Sequence, residues 1–331
     1  MKNSIFTETK KNTTLRGRFK SWLHRNYNVE DRKAMGFCYL LLALPFLFFI
    51  IFWVVVNINS VLLAFQDVHG DFTLKNFKTL FENFSGQDSR GLYLSDVFKR
   101  TFIVWFVVQL VLIPSLFSTY ILFKKVLGHY IFRTIYMVPG VLGGMVLTMI
   151  YKYFVGANGP LLTLAETMGI NIPLEVQMKG LLGSSATAFT TLNLMIAIPG
   201  IFGFNFVVSG AYARIPVELF EVGKLDGIGF VREFFTVSLP LIWGTLIITV
   251  IGALAGLFTT DNGSFLYTKG QYDTACMGYY IFIYTKEVAD SRGKQALLGY
   301  PSALGVFITL ITLPVVLITR RIMEKVNDVA Y

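Results

Sequence analysis

The stretch ARIPVELFEVGKLDGIGFVREFFTVSLP, residues 213–240, decides the fold of this chain. It lies between two long apolar stretches and is polar enough to leave the hydrocarbon. Pro216 fits the first turn of a helix, and Glu218 and Glu221 suit the positive end of the helix dipole just after it. The pattern predicts a short helix at the start of this loop.

A glycine turn and a second helix are predicted to follow. The apolar residues of the first helix share one face at a spacing of i, i+3 and i+6: Leu219, Val222 and Leu225. Gly227 and Gly229 break this helix, and we expect Pro240 to end the second one at the membrane. Such a hairpin suits docking into a groove on another protein. Without a partner, the same pattern fits an amphipathic hairpin in the membrane interface.

The stretches on either side of this loop predict a membrane protein. Of the 331 residues, 54% are hydrophobic and 15% charged. A helix needs about 20 apolar residues to cross about 30 Å of hydrocarbon. Six stretches meet this length, at roughly 36–65, 101–123, 132–154, 186–212, 241–261 and 299–319. The sequence therefore predicts an all-α integral membrane protein with six transmembrane helices spanning residues 36–321.

The distribution of positive charge predicts the topology. With the N-terminus in the cytoplasm, 18 Lys and Arg residues lie inside and ten outside, which follows the positive-inside rule. Both termini are then cytoplasmic, including the tail 322–331, and the outer loops are 66–100, 155–185 and 262–298. Residues 1–35 form a basic segment that fits an interfacial amphipathic helix or a disordered tail equally well. They do not resemble a cleavable signal peptide.

Several other functions find no support in the sequence. His24, His69 and His129 are scattered, and Cys38 and Cys276 are the only cysteines, so no metal site is predicted. A phosphate-binding loop is also absent, so we expect no catalytic residues and no bound cofactor. The net charge of +9 is explained by topology and anionic lipid rather than by nucleic acid.

Residues 221–240 resemble the EAA loop of binding-protein-dependent ABC importer permeases. The family pattern is E-A-A, three residues, G, nine residues and I-x-L-P. Here Glu221-Val222-Gly223 is followed by Gly227 and then by Val237-Ser238-Leu239-Pro240, at the same spacing. Residues 132–139 and 300–304 add to a resemblance that covers nearly the whole chain. Six-span permeases of sugar and oligosaccharide importers, similar to the maltose transporter, fit best.

The resemblance implies the type I importer permease fold and a set of partners. These are a second homologous permease subunit, two ATPase subunits that carry ATP and Mg, a solute-binding protein outside, and membrane lipid. It also implies that the loop 213–240 transmits movement from the ATPase. The implied coupling residues are Glu218, Glu221, Gly223, Asp226, Gly227, Leu239 and Pro240.

In related sugar permeases the helices before and after the loop hold the solute. The implied pathway residues are Asn193, Gly200, Gly203, Phe258, Thr259, Thr260 and Asp261. The first three form a weakly polar wall, which favours a wide, low-affinity passage. The last four could equally be a helix end wetted from outside, and the outer tyrosines 279, 280 and 284 could be a membrane-interface belt.

Two functions outside this family remain open from the sequence. A stand-alone proton-coupled carrier or channel would normally bury more ionisable groups at mid-membrane than the spans contain. A membrane scaffold without transport activity would not be expected to bind an ATPase.

Overall fold

The structure is a computed structural model that describes residues 29–67, 69–142, 144–201, 205–290 and 298–329. Its helices are α1 (Val29–Phe48), α2 (Val56–Ala64), α3 (Lys75–Ser85), α4 (Leu94–Phe123), α5 (His129–Val141), α6 (Gly144–Val155), α7 (Pro160–Thr167), α8 (Leu174–Lys179), α9 (Ala188–Ile201), α10 (Phe206–Tyr212), α11 (Val217–Leu225), α12 (Phe230–Glu233), α13 (Leu239–Leu241), α14 (Trp243–Ala255), α15 (Ser264–Tyr267), α16 (Met277–Asp290) and α17 (Gly299–Val329). Within the described ranges the backbone forms helices and turns, with one isolated bridge between Gln66 and Phe72. The prediction of an all-α fold is confirmed.

Four helical segments of the described chain are long and apolar enough to cross a membrane. They are Ala34–Ala64, Leu94–Phe123, Ala188–Tyr212 and Gly299–Val326. A fifth candidate is the pair Phe230–Leu241 and Trp243–Ala255, which is bent by 77°. The third expected span, 132–154, is divided into α5 and α6, and residue 143 between them lies outside the described residues. The count of six crossings stays a prediction.

The chain divides into two compact units, Met1–Leu62 and Leu63–Tyr331. In the first unit the described residues form α1, a π-helical turn at Phe49–Val55 and the start of α2. Residues 1–28, most of the predicted interfacial segment 1–35, lie outside the described residues. At the other terminus, α17 runs to Val329, so the predicted tail 322–331 begins as a continuation of the last helix.

In the second unit, hydrogen bonds and close approaches join α4, α9, α14 and α17. The indole N–H of Trp105 on α4 donates to the carbonyl of Ala253 on α14 at 3.1 Å. That of Trp243 on α14 donates to the carbonyl of Met323 on α17, also at 3.1 Å. A Cβ at Gly200 on α9 would lie 2.5 Å from Val111 Cγ1, so the glycine allows close approach to α4.

Segments predicted to lie outside meet at the N-terminal end of α4. The Phe84 and Phe98 rings pack with centroids 5.1 Å apart, and Asn83 Nδ2 donates to the Tyr300 hydroxyl at 2.8 Å. The outer cluster, as we call it, consists of Leu80, Leu94, Val97, Phe98, Leu257, Phe258, Met277, Tyr280 and Leu304. The ring of Tyr151 approaches that of Tyr267 at the same end, with centroids 6.4 Å apart.

The predicted cytoplasmic loop packs at the opposite end of α4. The inner cluster, as we call it, consists of Leu116, Tyr120, Val208, Tyr212, Ile215, Phe220, Phe234, Ile242 and Leu246. With a rise of 1.5 Å per residue, Phe98 and Tyr120 lie about 33 Å apart along α4, close to the thickness of the hydrocarbon core. The structure thus separates the two sets of loops as the topology requires, while the orientation itself stays a prediction.

The second helix of the loop ends one residue after Pro240, close to the predicted position. The helix continues through Pro240 to Leu241, and the sharp bend follows at Ile242. A π-helical turn at Phe234–Ser238 directly precedes the proline. Such a turn shifts the hydrogen-bond register, so a residue without an N–H can be accommodated inside the helix.

Candidate functional site

The first helix of the loop, α11, has defined ends. Pro216 precedes it with φ −58° and ψ 135°, and Glu218 lies in its first turn. At its end the N–H of Ile228 donates to the carbonyl of Gly223 at 3.0 Å, and that of Gly227 donates to the carbonyl of Lys224 at 3.1 Å. These two bonds form a Schellman cap, which requires a left-handed residue at Gly227, where φ is +68°.

One face of α11 is apolar and exposed. The exposed fractions of Leu219, Val222 and Leu225 are 41%, 54% and 88%. Glu218, Glu221 and Asp226 are exposed on the same short segment. Large exposed apolar groups with a charged rim are typical of a protein-interaction surface.

The other face of α11 attaches the helix to the inner end of α4. Phe220 is 5% exposed, and its ring centroid lies 5.9 Å from that of Phe123. Gly223 is buried, and a Cβ there would lie 3.9 Å from Ile228 Cδ1, which is ordinary contact. The helix therefore presents one face outward while Phe220 holds the other.

A buried ion pair joins the return helix to α4. Glu233 is 4% exposed, and its Oε1 accepts a hydrogen bond from the Tyr120 hydroxyl at 2.7 Å. The same oxygen pairs with Lys124 Nζ. Lys124 Nζ also lies 3.7 Å from the ring centroid of Phe220, in cation–π geometry. Nothing in the sequence pattern indicated this cluster, because its members lie far apart along the chain.

The remaining predicted coupling residues lie in the second helix. Leu239 is half-buried and packs against the inner cluster. Pro240 follows it in the last turn before the bend. Neither residue is on the exposed face of α11, so together they support the hairpin rather than extend its surface.

The predicted pathway residues on α9 lie against the rest of the chain. Asn193 is 8% exposed. Gly200 approaches Val111 as described above, which gives it a packing role in this conformation. Gly203 lies outside the described residues. Their predicted role in the pathway stays a prediction.

The pathway residues after α14 lie in and directly after the 3₁₀ turn Leu257–Thr259, which follows the cap residue Gly256. Phe258 is 1% exposed, and the rings of Phe98 and Phe102 pack against it at 5.1 Å and 5.6 Å between centroids. The hydroxyls of Thr259 and Thr260 both donate to the carbonyl of Gly256, at 3.0 Å and 2.8 Å. In this conformation the Phe258 ring is therefore a core group rather than a free stacking surface.

Asp261 lies at the outer end of the second unit, close to Ser264 and Cys276. Asp261 Oδ1 accepts from Ser264 Oγ at 2.6 Å. Burial, with a smaller contribution from Asp261, raises the pKa of the nearby Cys276 thiol to about 12. This cysteine is fully buried.

Tyr280 and Tyr284 of the outer tyrosines form a hydrogen-bonded chain with Tyr300 and Asp88, whereas the Tyr279 hydroxyl donates to the carbonyl of Lys269. Tyr280 is fully buried, and its hydroxyl lies 2.9 Å from that of Tyr300. Tyr284 donates to Asp88 Oδ2 at 2.8 Å, and Arg90 stacks on the Tyr284 ring at 4.5 Å. Burial is the main reason why the pKa of Tyr284 is raised to about 12. The chain connects α16, α17 and the loop before α4 at the outer end.

The described residues contain no group of three or more His, Cys, Asp or Glu side chains that could hold a metal ion. Within the second unit, an exposed hairpin therefore lies at one end of α4 and a hydrogen-bonded set of loops at the other.

The chain is similar in sequence to the membrane-spanning permease subunits of ABC transporters. The chain is 23% identical over 305 residues to the probable ABC transporter permease protein YurN of Bacillus subtilis, covering 89% of this chain and 98% of that protein. It is 27% identical over 221 residues to the arabinooligosaccharides transport system permease protein AraP of Halalkalibacterium halodurans, covering 64% of each. No protein-family model matches the sequence.

A solved structure shares the fold. A bacterial ABC transporter involved in the import of the acidic polysaccharide alginate aligns with a TM-score of 0.68 at 18% identity, over 89% of this chain and 98% of that chain. The same degree of likeness holds for the alginate transporter in complex with its pentasaccharide-bound periplasmic protein, at 17% identity. The resemblance to ABC importer permeases is confirmed, and the architecture is that of a multi-pass membrane protein.

Proposed function

We propose that this chain is one permease subunit of an ABC importer, forming half of a translocation pathway and coupling to a separate ATPase through residues 213–240. The observation that carries the proposal is α11, a capped helix whose apolar face is exposed while Phe220 fixes its other face to α4. An isolated carrier or channel has no use for such a surface. ATP hydrolysis then belongs to another chain.

The proposed partners follow from this role. A second homologous permease completes the pathway, two ATPase subunits with ATP and Mg bind the loops, and a solute-binding protein delivers the solute from outside. Membrane lipid surrounds the bundle, and no role for nucleic acid is proposed. The alginate transporter, which was solved with a periplasmic binding protein, supports the assignment of the last protein partner.

The proposed location is the bacterial cell (inner) membrane, with both termini in the cytoplasm. The excess of Lys and Arg on the inner side supports this orientation, and the loop 213–240 then faces the ATPase. A cysteine in place of Glu221 tests it in a variant without the native cysteines. Labelling by a membrane-impermeant maleimide is expected only after the cells are permeabilised, and labelling of intact cells contradicts the proposed topology.

The proposed substrate class is a sugar or oligosaccharide. Relatives named for the transport of arabinooligosaccharides, starch degradation products and maltodextrin support this class. The pathway residues stay those predicted from the sequence: Asn193, Gly200, Gly203, Phe258, Thr259, Thr260 and Asp261. Because several of them are buried here, their exposure would require another conformation of the transport cycle, as alternating two-state movement implies.

The docking role is tested by charging the exposed face of α11. Leu225 is 88% exposed, so Leu225→Glu leaves the fold intact while placing a carboxylate in the proposed interface. Loss of a buried leucine contact costs about 1.5–3 kcal/mol, which weakens binding about 10- to 150-fold. The matched control is Leu127→Glu, since Leu127 is 96% exposed at the same end of α4 but outside the loop.

The measurements are co-purification of the ATPase and uptake into proteoliposomes. Radiolabelled maltotetraose and arabinotriose serve as probes, with ATP supplied on the ATPase side and the binding protein on the other. We expect Leu225→Glu to lose the ATPase and ATP-dependent uptake, and Leu127→Glu to retain both. Uptake by the chain alone, driven by a proton gradient without ATP, would favour the secondary-transporter alternative.

A further inference from the structure

We propose that the buried pair of Lys124 and Glu233 is the positioning device that fixes the angle between α11 and α4. Movement of the docked loop is then passed to α4 as a rigid body instead of being absorbed by the hairpin. The inference rests on the proposed coupling function and assigns its mechanical link to particular residues.

Three elements converge on this pair. Lys124 is the C-terminal cap residue of α4 and bonds through its N–H to the carbonyl of Tyr120 at 3.0 Å. Its ammonium group reaches both Glu233 on α12 and the face of Phe220 on α11. The Tyr120 hydroxyl occupies the same carboxylate oxygen as the ammonium. The partly buried ammonium group of Lys124, at the inner end of α4, therefore contacts both helices of the hairpin.

The pair is more buried than the other charges of the loop. The side chains of Lys124 and Glu233 are 18% and 5% exposed. Glu218, Glu221 and Asp226 are all exposed, so they remain available to a partner. Glu233 faces the inner cluster and is therefore separated from the docking face.

Stability alone does not explain why this site carries charge. Removing two ions from water is costly, and replacing a buried ion pair by apolar groups of similar size is often neutral or stabilising. The rings of Phe230 and Phe234 pack on Tyr120, the partner of Glu233, with centroids 5.1 Å and 5.3 Å away, so the site already has an apolar surrounding. An ion pair differs from such contacts in being directional, because it holds one carboxylate oxygen against one ammonium group and one hydroxyl.

Helix α4, whose C-terminal cap residue is Lys124, also contacts the helices that carry the proposed pathway residues. Val111 of α4 lies against Gly200 on α9, and Trp105 of α4 is bonded to α14. These are the helices before and after the loop, to which the pathway residues belong. A tilt imposed on Lys124 is thus carried along α4 to both of them.

The decisive variant removes both charges. Lys124→Met alone and Glu233→Leu alone each leave one buried charge without its partner, so we expect a lower Tm for both. The double variant K124M/E233L is expected to regain a Tm near that of the wild type and to keep the ATPase bound. Solute imported per ATP hydrolysed is nevertheless expected to fall about tenfold, within the range typical of coupling between sites.

The position of α11 relative to the end of α4 can be measured directly as a distance, without any solute. Spin labels are attached to Lys125→Cys and Lys224→Cys, both exposed in the structure, in a background without the native cysteines. The wild-type complex is expected to give a narrow distance distribution with the same mean in the nucleotide-free and ATP-trapped states. In K124M/E233L the distribution is expected to broaden or to change between these states.

Matched variants separate this role from a structural one. Lys78 and Glu82 form an exposed pair at the outer end, so K78M/E82L is expected to transport as the wild type does. The conservative Lys124→Arg, which retains the charge, is expected to keep most of the coupling. If K124M/E233L does not regain its Tm, the test is a comparison of solute imported per ATP hydrolysed in Lys124→Arg and in Lys124→Met. Equal values in these two variants overturn the proposal.

Wild-type import per ATP in K124M/E233L, or an unchanged narrow distance distribution, overturns the positioning role. Absence of ATP-dependent uptake of maltotetraose and arabinotriose by the wild-type complex, together with absence of a bound ATPase, counts against the proposed function instead. Because the wild type is measured first, the two failures are distinguishable.

Discussion

Gly227→Val is expected to uncouple the chain while leaving it in the membrane. Gly227 has φ +68°, and a Cβ there would meet no atom within 4 Å, so the substitution causes no clash. Its cost is backbone strain alone, about 1–2 kcal/mol for an L-residue in the left-handed region. That strain opposes the Schellman cap of α11, which depends on this conformation.

The size of the strain sets the size of the effect. A cost of 1–2 kcal/mol changes a two-state ratio by about 5- to 30-fold, but is small beside the total stability of a domain. We therefore expect the variant to appear in membranes at the wild-type level. If the strain lowers the population of the capped helix, the apparent affinity for the ATPase falls in proportion to that population.

The assay compares three variants by membrane yield, ATPase affinity and ATP-dependent uptake. Gly229 is the matched control, because its φ is −69° and a Cβ there also meets nothing within 4 Å. Gly229→Val should therefore behave as the wild type, and Gly227→Asn should lose less than Gly227→Val, since Asn tolerates the left-handed region. Wild-type affinity in Gly227→Val, or an equal defect in Gly229→Val, would refute the reasoning.

Three further predictions concern buried groups. Phe220→Ala should cost about 3–5 kcal/mol through loss of a buried ring, seen as a lower Tm in detergent, and an unchanged Tm contradicts the anchoring role. In a protein with Cys38 replaced by serine, Cys276 should resist maleimide in the native state, even at about pH 10, because its pKa is near 12 and the thiolate is the reactive form. Denaturation should restore labelling, and rapid native labelling argues against the burial of this thiol. Tyr284→Phe removes the hydrogen bond to Asp88 and should lower the Tm, as followed by thermal unfolding. Because the pKa of Tyr284 is raised in the folded state, its contribution is complete below pH 10 and is lost as the pH rises through about 12, whereas Tyr284→Phe should lack this alkaline loss.

The hairpin was largely predictable because its signals are local. Pro216, the first-turn acids and the two glycines act within a few residues, so they define α11 and its turn without tertiary contacts. The helix end near Pro240 was predicted to within one residue, whereas the π-helical turn before it was not. Helices α3 and α16 were not predicted in the outer loops, although the amphipathic pattern of residues 75–85 was a usable signal.

By itself, the sequence determined that the chain is an all-α membrane protein with a structured loop, whose docking role stays a prediction. Hydropathy, charge bias and the positions of proline and glycine act locally or through the bilayer, so they can be interpreted without tertiary contacts. Only the tertiary structure decided that Lys124, Phe220 and Glu233 meet and that Phe258 is buried in the outer cluster. Tyr120 and Glu233 are 113 residues apart, and no local sequence pattern indicates a contact over such a separation. It arises only when helix packing brings the inner end of α4 against the folded hairpin.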